Sequence, residues 1–88
     1  MDSLKNKIEA IIFISENPVK LKEIASFLKE DLTIVKESIK QLVADWEIRD
    51  SSIKIQEVAN GYQFRTKQEF KDLLTEYINK KPYRLSRA

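Results

Sequence analysis

Cysteine and histidine are both absent from this chain of 88 residues, and glycine occurs only once. Their absence excludes disulfides, thiolate metal sites and nucleophile pairs that use histidine as the base, and zinc lacks its usual ligands. One glycine cannot build a phosphate-cradling loop, which needs several. We therefore expect no enzymatic activity and no metal, cofactor or small-molecule substrate.

Long apolar segments are also lacking. No run approaches the roughly 20 residues that cross a bilayer, and the N-terminal MDSLKNKIEA has no signal-peptide pattern. Hydrophobic residues at 42% and charged residues at 34% are ordinary for a folded domain. These features predict a cytoplasmic protein with no membrane partner.

The net charge of +2 is small but unevenly placed. Residues 1–50 carry eight basic and ten acidic side chains, whereas residues 51–88 carry eight basic and four acidic ones. The last nine residues, 80–88, have no acidic side chain and four basic ones: Lys80, Lys81, Arg84 and Arg87. They are candidates for salt-sensitive contact with nucleic acid, and the alternative interpretation is a solvated linker.

Apolar residues at helical spacing predict three helices, over residues 3–16, 21–29 and 32–49. Ser3 and Asp31 are suitable N-caps for the first and third helices, and Pro18 ends the first. The first helix is expected to bury Leu4, Ile8 and Ile11, with Ile12 and Ile14 flanking this stripe. The faces expected to be buried on the other two helices comprise Ile24, Ala25 and Leu28, then Leu32, Val35, Ile39, Leu42, Val43 and Trp46.

The hydrophobic period then changes from 3.6 to 2, which predicts strands. Asn60 and Gly61 favour a type I′ hairpin turn, whose register would pair Ala59 with Tyr62. The hairpin face expected to turn toward the helices comprises Ile53, Ile55, Tyr62 and Phe64. Val58 falls on the opposite face, where it is exposed unless a bulge re-aims it.

A fourth helix is predicted over residues 67–79. Three helices, a β-hairpin wing and a further helix make an α+β, mostly α fold, the winged helix-turn-helix. A DNA reader on this fold usually has a basic third helix. The segment from Asp31 to Glu47 has two lysines, Lys36 and Lys40, against four acidic residues. The electrostatic contribution to duplex binding is therefore expected to be weak.

The stretch IIFIS in the first helix has more apolar residues than one stripe needs. Phe13 points almost opposite to the face of Leu4, Ile8 and Ile11. It is either a lone exposed aromatic, a residue covered by the fourth helix, or a contact to a second chain. Phe13 is the first candidate for a dimer or partner contact, and Val58 is the next.

Three segments carry a resemblance to a known family. LKNKIEAIIFISENPVKLKEIASFL is followed at a distance by VANGYQFRTKQEF, and LSRA ends the chain. Their order and spacing resemble the segregation and condensation protein B family over essentially the whole chain. Two parts are the most specific besides LSRA: the Ile8-Glu9-Ala10 run with Phe13, and the GYQFRT run of residues 61–66.

The resemblance implies a non-enzymatic accessory subunit that serves the bacterial SMC complex together with a kleisin (ScpA-like) partner, in chromosome condensation and segregation. In that family two winged-helix domains stand in tandem, and the amino-terminal one pairs with its copy in a homodimer. Residues 1–79 would then form that domain, and residues 80–88 a basic linker and the start of a second domain. The protein would be cytoplasmic and associated with the nucleoid through the complex. The alternative function is a winged-helix DNA-binding transcriptional regulator.

Overall fold

The structure, a computed structural model, describes residues 3–80. Its elements follow the chain in the order α1 (Leu4–Ile14), β1 (Val19–Lys20), α2 (Leu21–Leu28), α3 (Leu32–Ile48), β2 (Ile53–Val58), β3 (Gly61–Thr66), a 3₁₀-helix (Gln68–Phe70) and α4 (Lys71–Asn79). This order confirms the predicted winged helix-turn-helix, with β2 and β3 as the wing.

Side chains cap the two longest helices as predicted. The Ser3 hydroxyl accepts a hydrogen bond from the Asn6 amide at 3.1 Å, and the Asp31 carboxylate accepts one from the Thr33 amide at 3.1 Å. Such caps stabilise a helix by about 1 kcal/mol each. The first helix ends at Ile14, two residues earlier than predicted, because Ser15 has extended backbone angles.

A short strand that the sequence analysis missed joins the hairpin. Val19 pairs with Tyr62 and Lys20 with Gly61, so that the sheet has the order β1-β3-β2. Two residues are too few to show a period-2 pattern. Burial of Val19 and pairing with β3 define this strand, and both depend on tertiary structure.

The predicted turn is displaced by one residue along the chain, so the predicted pairing is wrong by two residues: Tyr62 pairs with Glu57 instead of Ala59. Val58 pairs with Gly61, and the turn residues are Ala59 and Asn60, with φ angles of 50° and 65°. Gly61 does not have a positive φ. It lies in β3 beside Pro18, where a Cβ atom would lie 3.0 Å from the proline ring and backbone. The inward face is unaffected, because both registers place the same residues on it.

The core lies between the three amino-terminal helices and the inner face of the sheet. Its buried residues are Ile8, Ile12, Val19, Ile24, Ala25, Val35, Ile39, Leu42 and Ile55. Ile12 takes the central position that the sequence analysis gave to Ile11, which is only partly buried. The prediction that Leu32 is buried is wrong. Leu32 is 40% exposed because it begins α3, almost a full turn before Val35 enters the core.

The carboxy-terminal helix α4 keeps most of its apolar residues in solvent. Leu73, Tyr77 and Ile78 are 60%, 58% and 56% exposed. Isolated helices shorter than about 12–15 residues are only marginally stable in water, and α4 has nine residues. Packing of another segment or protein against the exposed apolar residues of α4 would therefore stabilise this helix.

Candidate protein–protein interface

Three aromatic rings from α1, α3 and β3 meet on one side of the molecule. We call Phe13, Trp46 and Phe64 the aromatic cluster. The centroids of Phe13 and Phe64 are 5.9 Å apart with the rings edge to face, and those of Trp46 and Phe64 are 5.1 Å apart in the same arrangement. Each such pair contributes about 0.5–1.5 kcal/mol beyond its buried area. The cluster therefore links the helices to the wing.

Polar contacts hold the helices on either side of the aromatic cluster. The Trp46 indole N–H donates to the Glu9 carboxylate at 2.8 Å, and the Arg49 guanidinium lies 4.0 Å from the centre of the Trp46 ring. Lys5 and Asp45 form an ion pair at 2.7 Å, also between α1 and α3. This pair is partly exposed, so it contributes at most about 1 kcal/mol. Together these contacts fix the orientation of Trp46 against α1.

Phe13 is the outermost member of the cluster. Its side chain is 69% exposed, although one edge contacts Phe64. A shallow cavity of about 220 Å³ beside it is lined by Glu9, Ala10, Phe13, Trp46, Ile53 and Phe64. No residue of α4 lines this cavity, so the hypothesis that the fourth helix covers Phe13 is wrong. The described part of the chain leaves Phe13 open to solvent.

A second apolar surface lies where α1 ends and α2 passes beside it. Ile14 is 78% exposed and Phe27 is 75% exposed. A cavity of about 280 Å³ is lined by Ile11, Val19, Glu23, Ile24 and Phe27. We call Ile14 and Phe27 with this cavity the α1–α2 surface. The carboxy-terminal half of α1 is thus apolar on its outer side as well as toward the core.

The other predicted contact residues do not join the aromatic cluster. Val58 is half-buried beside the hairpin turn, on the sheet face opposite Ile55 and Phe64. Lys80 caps α4 and pairs with Glu76 at 3.3 Å, where both groups are exposed. The remaining candidates for nucleic-acid contact, Lys81, Arg84 and Arg87, lie outside the described residues.

Chemistry-bearing groups are sparse in the described range. Within residues 3–80, no set of three or more metal-ligating side chains is close enough to hold a metal ion. In the same range no helix has the length and apolarity that a bilayer span requires. Burial, with a smaller effect of Glu57 on the neighbouring strand, raises the pKa of Tyr62 above its ordinary value. Tyr62 therefore stays protonated at neutral pH.

Sequence reasoning identified Phe13 but missed its partners and Phe27. Trp46 and Phe64 were assigned to the inner faces of α3 and the hairpin, and the structure leaves both only partly buried. Phe27 offered the same signal as Phe13, because it lies off the buried face of Ile24, Ala25 and Leu28. A search for every aromatic outside a helix stripe would have found it.

Comparison with known proteins assigns the family. Residues 6–88 match the model of the family described as segregation and condensation complex subunit ScpB. The chain belongs to the ScpB family. The resemblance noted in the sequence is thereby confirmed.

Two curated ScpB relatives illustrate the match. The segregation and condensation protein B of Streptococcus gordonii is 38% identical over 87 residues, which cover 94% of this chain and 46% of the relative. That of Myxococcus xanthus is 31% identical over 87 residues, which cover 99% of this chain and 26% of the relative. The chain thus spans less than half the length of these two ScpB proteins.

A solved ScpB structure confirms the fold. It is described as a dimer of the ScpB N-terminal domain complexed with a ScpA peptide. It has a TM-score of 0.75 and 24% identity, and the match covers 84% of this chain and 93% of that one. The chain therefore has the fold of an ScpB amino-terminal domain.

Proposed function

We propose that this chain is a non-enzymatic joining module that forms a homodimer and acts, with a kleisin of the ScpA type, in an SMC complex of chromosome segregation. Residues 1–79 would be its winged-helix domain, and residues 80–88 a basic linker into a second domain. Its place would be the cytoplasm, at the nucleoid. The ScpB-family neighbour that is a dimer bound to a ScpA peptide supports this proposal.

One observation carries the proposed dimer. Phe13 and Ile14 are adjacent on α1, and both are more than two-thirds exposed in the single chain. Covering one phenylalanine contributes about 1.5–3 kcal/mol, and a twofold interface uses each contact twice. The aromatic cluster beneath Phe13 holds the ring in place before a partner arrives. Less ordering is then needed on binding.

The charge of α3 disfavours the alternative, a DNA-binding regulator. The helix has two exposed lysines, Lys36 and Lys40. Its acidic residues are Glu37, Asp45 and Glu47, with Asp31 as the N-cap, so they outnumber the lysines. Phosphate contacts would release few counterions from such a mixed surface. Exposed apolar residues at its first turn, Leu32 and Ile34, also resemble a protein-binding surface more than a groove reader.

Sedimentation equilibrium of the chain, over a range of concentrations, tests the dimer. Phe13→Glu should shift the mass to that of a monomer while helix content stays the same, because each copy would bury an unpaired charge. The matched control is Ile48→Glu at the far end of α3, where the residue is 85% exposed. It should leave both the mass and the melting temperature unchanged.

A core substitution separates loss of the dimer from loss of the fold. Ile12 is 1% exposed, so Ile12→Glu should unfold the domain. If Phe13→Glu also unfolds it, Phe13 belongs to the domain's own core. If Phe13→Glu changes neither mass nor melting, the dimer uses another surface, and the next residues to replace are Val58, Ile14 and Phe27.

A further inference from the structure

A groove lies between β3 of the wing and α4, and Phe64 of the aromatic cluster is one of its lining residues. We call it the β3–α4 groove. It is an open groove with a volume of about 560 Å³, and ligand pockets have volumes of about 300–1,000 Å³. Gln56 and Gln63, which are paired across β2 and β3, form part of its floor. Gln56 and Gln63 lie on the face of the sheet opposite to that of buried Ile55, whereas the lining residues Phe64 and Thr66 lie on the same face as Ile55.

All charged side chains that line the β3–α4 groove are basic. They are Arg65 on β3, Lys67 in the connection and Lys71 at the start of α4. The Lys67 ammonium donates to the Arg49 carbonyl at 2.8 Å, which fixes its position. Arg65 and Lys71 form no ion pair within residues 3–80. The groove therefore has a positive potential that its own walls leave uncompensated.

Besides Lys71 and Thr75, α4 contributes two apolar residues to the groove wall. Leu74 is half-buried and Ile78 is 56% exposed, and both line the groove. The floor adds side-chain amides, since the Gln63 NH₂ group donates to the Glu16 carbonyl at 3.2 Å and leaves its own oxygen as an acceptor. A ligand that fits all three features carries negative charge, apolar side chains and backbone-like hydrogen-bonding groups.

Charge excludes two occupants from the chain itself. Residues 81–88 carry three basic and no acidic side chains, so the tail would be repelled. In the described residues, no connection between elements holds more than two acidic side chains, so a second copy has no extended acidic segment to insert.

Single-stranded nucleic acid would need an aromatic face for base stacking. The one ring among the lining residues, Phe64, is engaged by Phe13 and Trp46.

We propose that the β3–α4 groove binds an extended acidic segment of a partner protein, whose apolar side chains pack on Leu74 and Ile78. This inference rests on the proposed role of the chain as a protein-binding subunit, and it gives the chemistry of one partner segment. Binding would also cover Ile78, which the isolated chain leaves 56% exposed. Partner contact would then stabilise α4, none of whose residues is buried in the isolated chain.

Fluorescence anisotropy with a short labelled peptide, in which Glu alternates with Leu and Ser, tests the groove. The same peptide with Gln for Glu, the same peptide with Ser for Leu, and a single-stranded oligonucleotide are the comparison ligands. We expect the acidic apolar peptide to bind most tightly, with an affinity that falls as salt is added. Tighter binding of the oligonucleotide, or equal binding of the Gln peptide, would overturn the proposal.

Two matched pairs of variants assign binding to the groove. Arg65→Glu with Lys71→Glu should weaken binding about tenfold. Lys7→Glu with Lys22→Glu, which changes the net charge equally at exposed positions outside the groove, should have little effect. Ile78→Ser should weaken binding, whereas Leu73→Ser, equally exposed on α4 but not in the groove wall, should not. Equal losses within either pair would refute the assignment.

The peptide measurement is repeated on Phe13→Glu so that the two proposals can fail separately. Sedimentation mass decides the dimer, and anisotropy decides the groove. If Phe13→Glu is monomeric and still binds the peptide, both proposals stand. If the parent chain is a dimer and no peptide binds, only the groove proposal fails.

Discussion

Glycine is needed at position 61 because Pro18 lies close to it in space, and not because of the backbone angles of Gly61. Its φ lies outside the positive range, yet a Cβ atom there would meet Pro18 at 3.0 Å. The residues that do carry the strain of positive φ are Ala59 and Asn60 in the turn, and Lys29 at the end of α2. At the residue scale, therefore, close approach and backbone strain fall on different positions.

The hairpin register predicts that substitutions at Gly61 and at Ala59, two residues apart, change stability in opposite directions. Gly61→Val and Gly61→Ala should lower the free energy of unfolding by about 1–3 kcal/mol, because the new atoms overlap Pro18. Ala59→Gly should raise it by roughly 0.5 kcal/mol, since glycine adopts a φ of 50° without strain. Urea denaturation measures both. Stabilisation by Gly61→Ala would show that β3 and Pro18 are farther apart than the structure places them.

Lys29 ends α2 in the left-handed conformation, with φ and ψ of 56° and 47°. Lys29→Gly should stabilise the fold by about 0.5–1 kcal/mol, because most helices that end this way use glycine there. Lys29→Ala removes the same charge but keeps the strained Cβ, so its midpoint in urea should stay near the parent value. If the alanine variant gains as much as the glycine variant, removal of the lysine charge explains the gain.

At the scale of elements, α3 and α4 differ in how the fold uses them. Three residues of α3 are buried, whereas no residue of α4 is. The third helix therefore holds the core together, and its outward side is a mixed-charge surface. The fourth helix contributes little to the core and is available to form one wall of the β3–α4 groove.

The outward side of α3 should not bind duplex DNA specifically. Electrophoretic mobility shift at physiological salt should show no discrete complex with a random-sequence duplex pool, because the segment from Asp31 to Glu47 is net negative. Any weak binding at low salt should persist in Lys36→Ala and Lys40→Ala. A tight complex that these two substitutions abolish would support the regulator alternative instead.

At the scale of the whole molecule, the first two helices expose large apolar side chains. Phe13 lies at one edge, on the aromatic cluster, and Ile14 and Phe27 form the α1–α2 surface. Phe13 is 69% exposed and Phe27 is 75% exposed, so each is apolar surface that binding of a partner would cover. The cavities beside Phe13 and Phe27 share no lining residue, so these two rings belong to separate apolar surfaces.

The proposed dimer predicts that the thermal stability of the chain depends on its concentration. The melting temperature of the parent should rise as protein concentration rises, because the folded dimer is favoured by mass action. That of Phe13→Glu should stay constant over the same range, since its folded state is a monomer. Calorimetry at several concentrations measures this directly. A parent melting temperature that does not change with concentration would argue against the dimer.

Most of the fold could be predicted from local patterns. The caps Ser3 and Asp31, the helix stripes and the period-2 hairpin each depend on residues close together in the chain, and local hydrogen bonds or burial repeats define them. Phe13 was also identifiable, because its position on the helix wheel separates it from Ile8 and Ile12. These features follow from geometry within one element.

Only the tertiary structure decided the features that need two distant segments. Pairing with β3 makes a strand of Val19 and Lys20, and the proximity of Pro18 explains Gly61. The aromatic cluster joins residues from three elements, and the β3–α4 groove depends on where α4 lies beside the wing. No local period encodes such contacts, because they arise from packing between elements. The sequence by itself determined the elements and the surplus of apolar residues, and packing decided which of those residues remain exposed.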